Sequence, residues 1–231
     1  IHHLLYRRFH IRLPVLILVH GSGPNDRDET LGPNKLFRDI AWGLAEQGIA
    51  VLRYDKRTKV YGTAAYPQGV EATFDNEVVD DVISAVRLVK SLPEIDSARV
   101  YVLGHSLGGM LVPRIAQRAG EGCLGGIISL AGPVRKMEQL LTEQMTYISS
   151  LSGTQPDVKA AVEQVMNSLP ESYRKMETEY QPVEVARMLK LPFLVLQGER
   201  DYQVTMQDFG MWRFGLYRNP NVLFKSYPKL N

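Results

Sequence analysis

The sequence has a single cysteine, Cys123, so no disulfide can form within the chain and a disulfide-stapled scaffold is excluded. An excess of one charge is missing as well. Lys and Arg number 27 against 25 Asp and Glu, a formal net charge of +2, without the basic stripe that nucleic-acid binding requires. Long apolar runs are also lacking. The longest, Leu13 to Val19, is interrupted by Pro14 and falls far short of the roughly 18–20 residues of a bilayer-spanning helix. It ends in His20-Gly21-Ser22-Gly23 rather than in the small-residue cleavage site of a signal peptide. Neither nucleic acid nor a membrane is therefore expected as a partner. H-E-x-x-H and Cys/His ligand spacings are missing, as are the G-x-x-x-x-G-K-[ST] and G-x-G-x-x-G phosphate loops, so no metal or organic cofactor is expected. The lone cysteine and the missing leader point to the cytoplasm. Because the chain starts at Ile1 and not at methionine, its ends are not expected to be the natural ones.

What is present is an ordinary globular composition, 45% hydrophobic and 23% charged, at a length that suits one large domain with its own core. Short β-rich apolar runs alternate with longer stretches of helical spacing. The runs are Val15–Val19, Ile49–Tyr54, Arg99–Leu103, Gly126–Leu130, Phe193–Leu196 and Val222–Tyr227, and the helical stretches are Asn34–Gln47, Asn76–Lys90, Leu107–Arg118 and Thr205–Tyr217. Near-continuous apolar strands between amphipathic helices predict an α/β protein, a mostly parallel sheet with helices on both faces. The alternation breaks between Pro133 and Leu191, where two or three helical patterns follow one another, the clearest at Met137–Leu151 and Asp157–Leu169. An excursion of that kind is often a cap over the carboxyl ends of the strands. Its five methionines, Met137, Met145, Met166, Met176 and Met188, suit either a small helical core or an adaptable apolar pocket.

Three motifs carry chemistry. Gly104-His105-Ser106-Leu107-Gly108 stands between a strand and a helix, the context in which a G-x-S-x-G serine is held on a sharp turn as a nucleophile. Small residues on either side let strand and helix approach, and the helix amino terminus favours developing negative charge there. The alternative is a plain helix start with Ser106 as its cap. His20-Gly21-Ser22-Gly23-Pro24 ends the first strand, and such a loop can present one of the two N–H donors an oxyanion needs. The backbone N–H groups of Ser22 and Leu107 are the expected pair. Gln197-Gly198-Glu199-Arg200-Asp201 follows the strand at Phe193 and supplies the carboxylate that orients a catalytic imidazole. Asp201 is the first choice and Glu199 the second, unless either acid simply pairs with Arg200. Asp26, Asp28 and Glu29 are the one acidic group near this loop able to seat a free substrate amine, with a loop network involving Arg27 and Arg57 as the alternative.

Together, Ser106 in GHSLGG, the HGSGPNDRDET loop from His20, RYDKRTKVYG from Arg53 and LQGERDYQV from Leu196 resemble the bacterial α/β-hydrolase esterases of the serine aminopeptidase-like group, over about residues 14 to 231. The resemblance implies an α/β-hydrolase fold. It also implies a serine carboxylesterase-type enzyme acting on a small-molecule ester, with Ser106 as nucleophile, Asp201 as triad acid and the Ser22 loop contributing to the oxyanion hole. Residues 134–190 would form a helical cap on a core of residues 1–133 and 191–231. A serine peptidase, or a non-catalytic binding protein of the same fold, are the other readings. A cysteine nucleophile is not expected, because Cys123 lies in a glycine-rich turn away from the elbow.

The triad order of this fold places the histidine after the last strand. Here Pro228-Lys229-Leu230-Asn231 follows that strand, and the resemblance implies the histidine at the next position. Of the histidines present, His105 adjoins Ser106 but should point elsewhere, and His20 is expected to order its loop. His2, His3 and His10 fall in a segment that does not match the family. A chain stopping at Asn231 is therefore expected to keep its fold, to lack nearly all turnover and to expose apolar sheet surface where a last helix would lie.

Overall fold

A computed structural model describes residues 12–153 and 156–231. His2, His3 and His10 lie outside the described residues. Six strands form one wholly parallel sheet in the order β4-β1-β5-β6-β7-β8. They are β1 (Leu13–Val19), β4 (Ala50–Leu52), β5 (Ile95–His105), β6 (Gly126–Leu130), β7 (Phe193–Gly198) and β8 (Val222–Tyr227). The main connecting helices are α1 (Leu36–Glu46), α3 (Asp80–Ser91), α4 (Leu107–Ala119) and α9 (Met206–Leu216). All six expected strands and all four expected helices are present, with ends shifted by a few residues. A two-stranded hairpin of β2 (Thr30–Leu31) and β3 (Asn34–Lys35), the short α2 (Arg57–Tyr61) and a π-helical turn at Asp75–Val79 are additions that apolar periodicity does not reveal.

The strands are apolar because both faces are covered. Along β1, Val15, Ile17 and Val19 join the larger core with Val100, Val102, Ile127, Phe193 and Val195, packed under α3, α4 and α9. The alternate residues Leu16, Leu18 and Leu103 face the other way, onto Phe37 of α1. A period of two along each strand thus sends neighbours to opposite layers, and each fully buried Val, Leu or Ile contributes roughly 1.5–3 kcal/mol. On the α1 face an apolar groove of about 800 Å³ runs along the sheet, lined by Leu16, Ile40, Tyr101, Leu103, Ile128, Leu130, Leu196, Tyr227 and Leu230 among others.

Between β6 and β7 come four helices in the described residues: α5 (Met137–Ser152), α6 (Val158–Ser168), α7 (Glu171–Glu179) and α8 (Pro182–Arg187). Tyr173 and Ala186 from the last two, and Tyr180 between them, are buried in the larger core, where Phe74 meets Tyr173 edge to face at 4.7 Å. Met137 and Met176 pack against that core, whereas Met188 is 80% exposed. No helix of the described residues is long and apolar enough to cross a membrane.

The sheet order locates the site. The chain runs from β1 outward to β4 on one side, then returns to place β5 on the other side of β1. At such a reversal the loops leaving the two strands diverge and open a crevice at their carboxyl ends. The loops leaving β1 and β5 begin at His20 and Ser106.

Candidate active site

Val19 pairs with Gly104 at the ends of β1 and β5, and the next residues of both strands turn into the crevice. Ser106 has φ 52° and ψ −116°, a backbone state that side chains disfavour. Strain of this kind costs of order 1–3 kcal/mol and persists only where surrounding packing enforces it. Packing does so here, because a Cβ at Gly104 would overlap the backbone of Gly108 and a Cβ at Gly108 would overlap Val19 O. The hydroxyl of Ser106 makes no cap hydrogen bond to α4, which removes the plain helix-cap alternative. The elbow is fixed by its backbone, Ser106 N–H donating to Leu130 O at 3.0 Å and Met110 N–H to Ser106 O at 2.9 Å.

The loop after β1 lies against the elbow, so close that a Cβ on Gly21 would stand 3.2 Å from that of Ser106. Gly21 N–H donates to Glu29 Oε1 at 2.7 Å, and Glu29 Oε2 stands 3.0 Å from His105 Nδ1. Asn25 Nδ2 donates to the carbonyls of Gly21 at 3.2 Å and Ser22 at 3.0 Å. Lys56, 2% exposed, donates from Nζ to Gly21 O at 3.1 Å and pairs with Glu77 Oε1 at 2.5 Å. Among the described residues, no hydrogen-bond partner occupies the N–H of Ser22 or of Leu107. The structure therefore lays the Ser22 loop against the Ser106 elbow and leaves the N–H groups of Ser22 and Leu107 unspent at a serine with a strained backbone.

His20 is buried at the root of this loop, packed against Phe37 and edge-on to Tyr54. Its Nε2–H donates to Asp26 O at 3.0 Å, so it orders the loop. Burial pushes its pKa below the ordinary histidine value, outweighing the opposing pull of Glu29. The folded state thus takes up its proton later than the unfolded chain as pH falls. Stability contributed by neutral His20 is present above about pH 6.5 and drains away as pH falls toward its lowered value, with a slope of at most about 1.4 kcal/mol per pH unit for one proton. Urea midpoints measured between pH 7 and pH 5.5 are expected to fall in the native chain and to flatten in His20→Gln; parallel curves would refute this.

The acids of the loop already have partners, and these differ from those expected. Asp26 accepts from the N–H groups of Asp28 and Thr30, while Asp28 pairs with Lys35 and Arg53. Arg27 instead reaches Asp55, in the segment after β4, at 2.6 Å, and Arg57 of α2 reaches Asp81 of α3. Asp55 is held down at about 2 by hydrogen bonds from Arg27.

Asp201 sits in the turn beyond β7, where Oδ1 accepts from the N–H groups of Gln203 at 2.8 Å and Val204 at 3.1 Å. Buried Gln197 braces the turn through Val204 O at 2.7 Å and reaches Asp201 Oδ2 at 3.4 Å. Glu199 accepts from Ser226 Oγ at 2.7 Å. Neither acid forms an ion pair with Arg200 among the described residues. Arg200 N–H donates to Leu230 O at 2.9 Å, and a Cβ on Gly198 would press on Leu230 and Asn231, so residue 231 lies alongside this turn. Asp201, Asn231 and His105 line the same groove. Helix α5 reaches the turn as well: Tyr147 stacks on Tyr202 at 4.8 Å and Gln144 Nε2 donates to Gln203 O at 3.1 Å.

Sequence reasoning missed Asn25, Lys56, Glu77 and Gln197. Lys56 and Glu77 look like surface charges in a sequence, and only the π-helical turn that presents Glu77 inward shows otherwise.

Comparison with known proteins agrees with this architecture. Over 94% of this chain, the sequence is 39% identical to esterase EstD of Thermotoga maritima, and it spans 54% of that relative, so the chain is about half as long as the protein it matches. Among solved structures, Est1E from Butyrivibrio proteoclasticus superposes with a TM-score of 0.62 at 16% identity, covering 94% of this chain and 79% of that one. The alpha/beta hydrolase GrgF from Penicillium does so with a TM-score of 0.58 at 16% identity, covering 94% and 83%. These two show the fold, an α/β hydrolase. The prolyl oligopeptidase family model matches residues 37–229, most of the sheet together with the elbow and the Asp201 turn, and the chain belongs to that family.

Proposed function

We propose that this protein is a serine carboxylic ester hydrolase acting on small esters. Ser106 Oγ attacks the ester carbonyl, the N–H groups of Ser22 and Leu107 hold the oxyanion, and collapse expels the alcohol to leave an acyl group on Ser106. Water then cleaves the acyl-enzyme. Asp201 orients the imidazole that takes the Ser106 proton and returns it to the leaving alcohol. The observation that carries the reading is the strained Ser106, its hydroxyl free of any capping role and two unspent N–H donors beside it. The 39% identity to an esterase supports the same chemistry. Because Asp26 and Glu29 accept from loop N–H groups and Asp28 pairs with Lys35 and Arg53, an ester is favoured over a substrate with a free amine. The chemistry needs neither metal nor organic cofactor.

We assign the base to a histidine at the position following Asn231, as the family resemblance implies. His20 is committed to Asp26 O and His105 to the side of Glu29, whereas a residue following Asn231 would arise beside the Asp201 turn. Residues 134–190 serve as a helical cap on a core of 1–133 and 191–231, a role supported by the grip of α5 on Tyr202 and Gln203. We place the activity in the cytoplasm on the strength of the lone cysteine. The test is turnover of p-nitrophenyl acetate by the chain ending at Asn231 and by one continued into histidine. The longer form should be faster by several orders of magnitude, out of roughly 10⁶ that a triad histidine supplies in subtilisin. Equal rates in the two forms overturn the assignment of the base.

A further inference from the structure

The amide that joins Gly21 to Ser22 has one end in the crevice and the other in the core. Its N–H is the proposed oxyanion donor, and its carbonyl oxygen, Gly21 O, accepts from the ammonium of Lys56 at 3.1 Å. Lys56 is 2% exposed and is neutralised by Glu77, which the π-helical turn at Asp75–Val79 directs inward. π-Helical turns cost helix regularity and recur at functional sites. Holding the loop does not by itself require a buried cation: Asn25 already ties the carbonyls of Gly21 and Ser22, and Glu29 ties Gly21 N–H.

Resting on the esterase reading above, we propose that Lys56 is a positioning residue that polarises the Gly21–Ser22 amide and so strengthens its N–H as an oxyanion donor. A cation on an amide oxygen draws electron density from nitrogen, and hydrogen bonds in series reinforce one another, more so at the low dielectric of a buried site. The gain is realised when negative charge develops on the substrate oxygen, hence in kcat more than in KM. Glu77 neutralises Lys56 on the far side, which lets the charge remain in the core.

The experiment compares Lys56→Met with the double variant Lys56→Met/Glu77→Leu in the chain continued from Asn231 into histidine, reading thermal melting, the ¹⁵N–¹H resonance of the Ser22 amide, and kcat and KM for p-nitrophenyl acetate. Lys56→Met strands the Glu77 carboxylate and lowers the melting temperature, while the double variant, with both charges removed, regains most of it. A merely structural role would then return kcat with stability. The expected result is a double variant that melts near the native temperature with a displaced Ser22 resonance, kcat lower by about tenfold and KM within about twofold. A Ser22 resonance that does not move, or a kcat that recovers in the double variant, overturns the proposal. Turnover that survives Ser106→Ala would sink the esterase reading instead, and the Ser22 resonance would still decide whether Lys56 polarises the amide.

Discussion

Replacing Ser106 by glycine, in the chain continued from Asn231 into histidine, should abolish ester turnover and at the same time stabilise the fold. The two effects come from one residue because the same turn that exposes the hydroxyl forces a side chain to φ 52° and ψ −116°. Without the nucleophile no acyl-enzyme forms, and removal of the serine in subtilisin costs about 10⁶ in kcat, or about 8 kcal/mol of transition-state stabilisation. Glycine has no Cβ to oppose positive φ, so the strain is relieved and about 1 kcal/mol is returned to the folded state, less the greater entropy of glycine in the unfolded chain. Alanine keeps its Cβ and with it the strain. Ser106→Ala should therefore lose the same turnover without gaining stability. Urea unfolding at constant slope, read alongside p-nitrophenyl acetate hydrolysis, separates the two variants. If glycine lowers the midpoint, the elbow is not strained as described; if either variant keeps native turnover, the nucleophile lies elsewhere.

The elbow was legible because its constraint is local. Glycines at 104 and 108 around a serine, between a β-rich run and a helical stretch, encode the close approach of strand and helix that the backbone contacts at Gly108 display. The strands were legible for a related reason: with both faces buried, Val15–Val19 and Phe193–Leu196 must be apolar throughout. What stayed hidden depends on residues far apart in sequence. Lys56 and Glu77 are neutral as a pair only when the chain between them folds back, and neither shows that in its neighbours. The expected partners of Arg27 and Arg57 failed likewise, because Asp55 and Asp81 are brought in by the crossing of separate segments. In the excursion after β6, α7, α8 and the turn between them place Tyr173, Ala186 and Tyr180 within the main core. Spacing along a helix reports that a face is apolar; it does not say which body covers it.

Asp208→Ala should be the most destabilising single change of a polar residue, at about 3–5 kcal/mol. Asp208 has no exposed surface, and its carboxylate takes four donors from one short stretch: the N–H groups of Val134 and Arg135 on Oδ1 at 2.9 and 3.0 Å, and Arg135 Nε and Nη2 on Oδ2 at 3.1 and 2.8 Å. Arg135 is itself buried and reaches on to Glu143 of α5 at 2.5 Å and to Thr205 Oγ1 at 3.2 Å. Burial works against the guanidinium charge, yet hydrogen bonds to Asp208 and Glu143 prevail and push its pKa above the usual arginine range. One carboxylate on α9 therefore holds the crossover from β6 and, through Arg135, the first helix of the excursion. Alanine there would leave two buried amides and a guanidinium short of acceptors, for a fall in melting temperature of roughly 6–20 °C in a domain of this size. Removing both ends in Asp208→Leu/Arg135→Met leaves no stranded charge and should cost less than Asp208→Ala alone. A single variant within about 1 kcal/mol of the native chain would mean that the pair is replaceable by water and does not bind α5 to the core. If the expected loss appears and α5 is released, the grip of Tyr147 on Tyr202 goes with it, and KM for esters should rise before folding is lost.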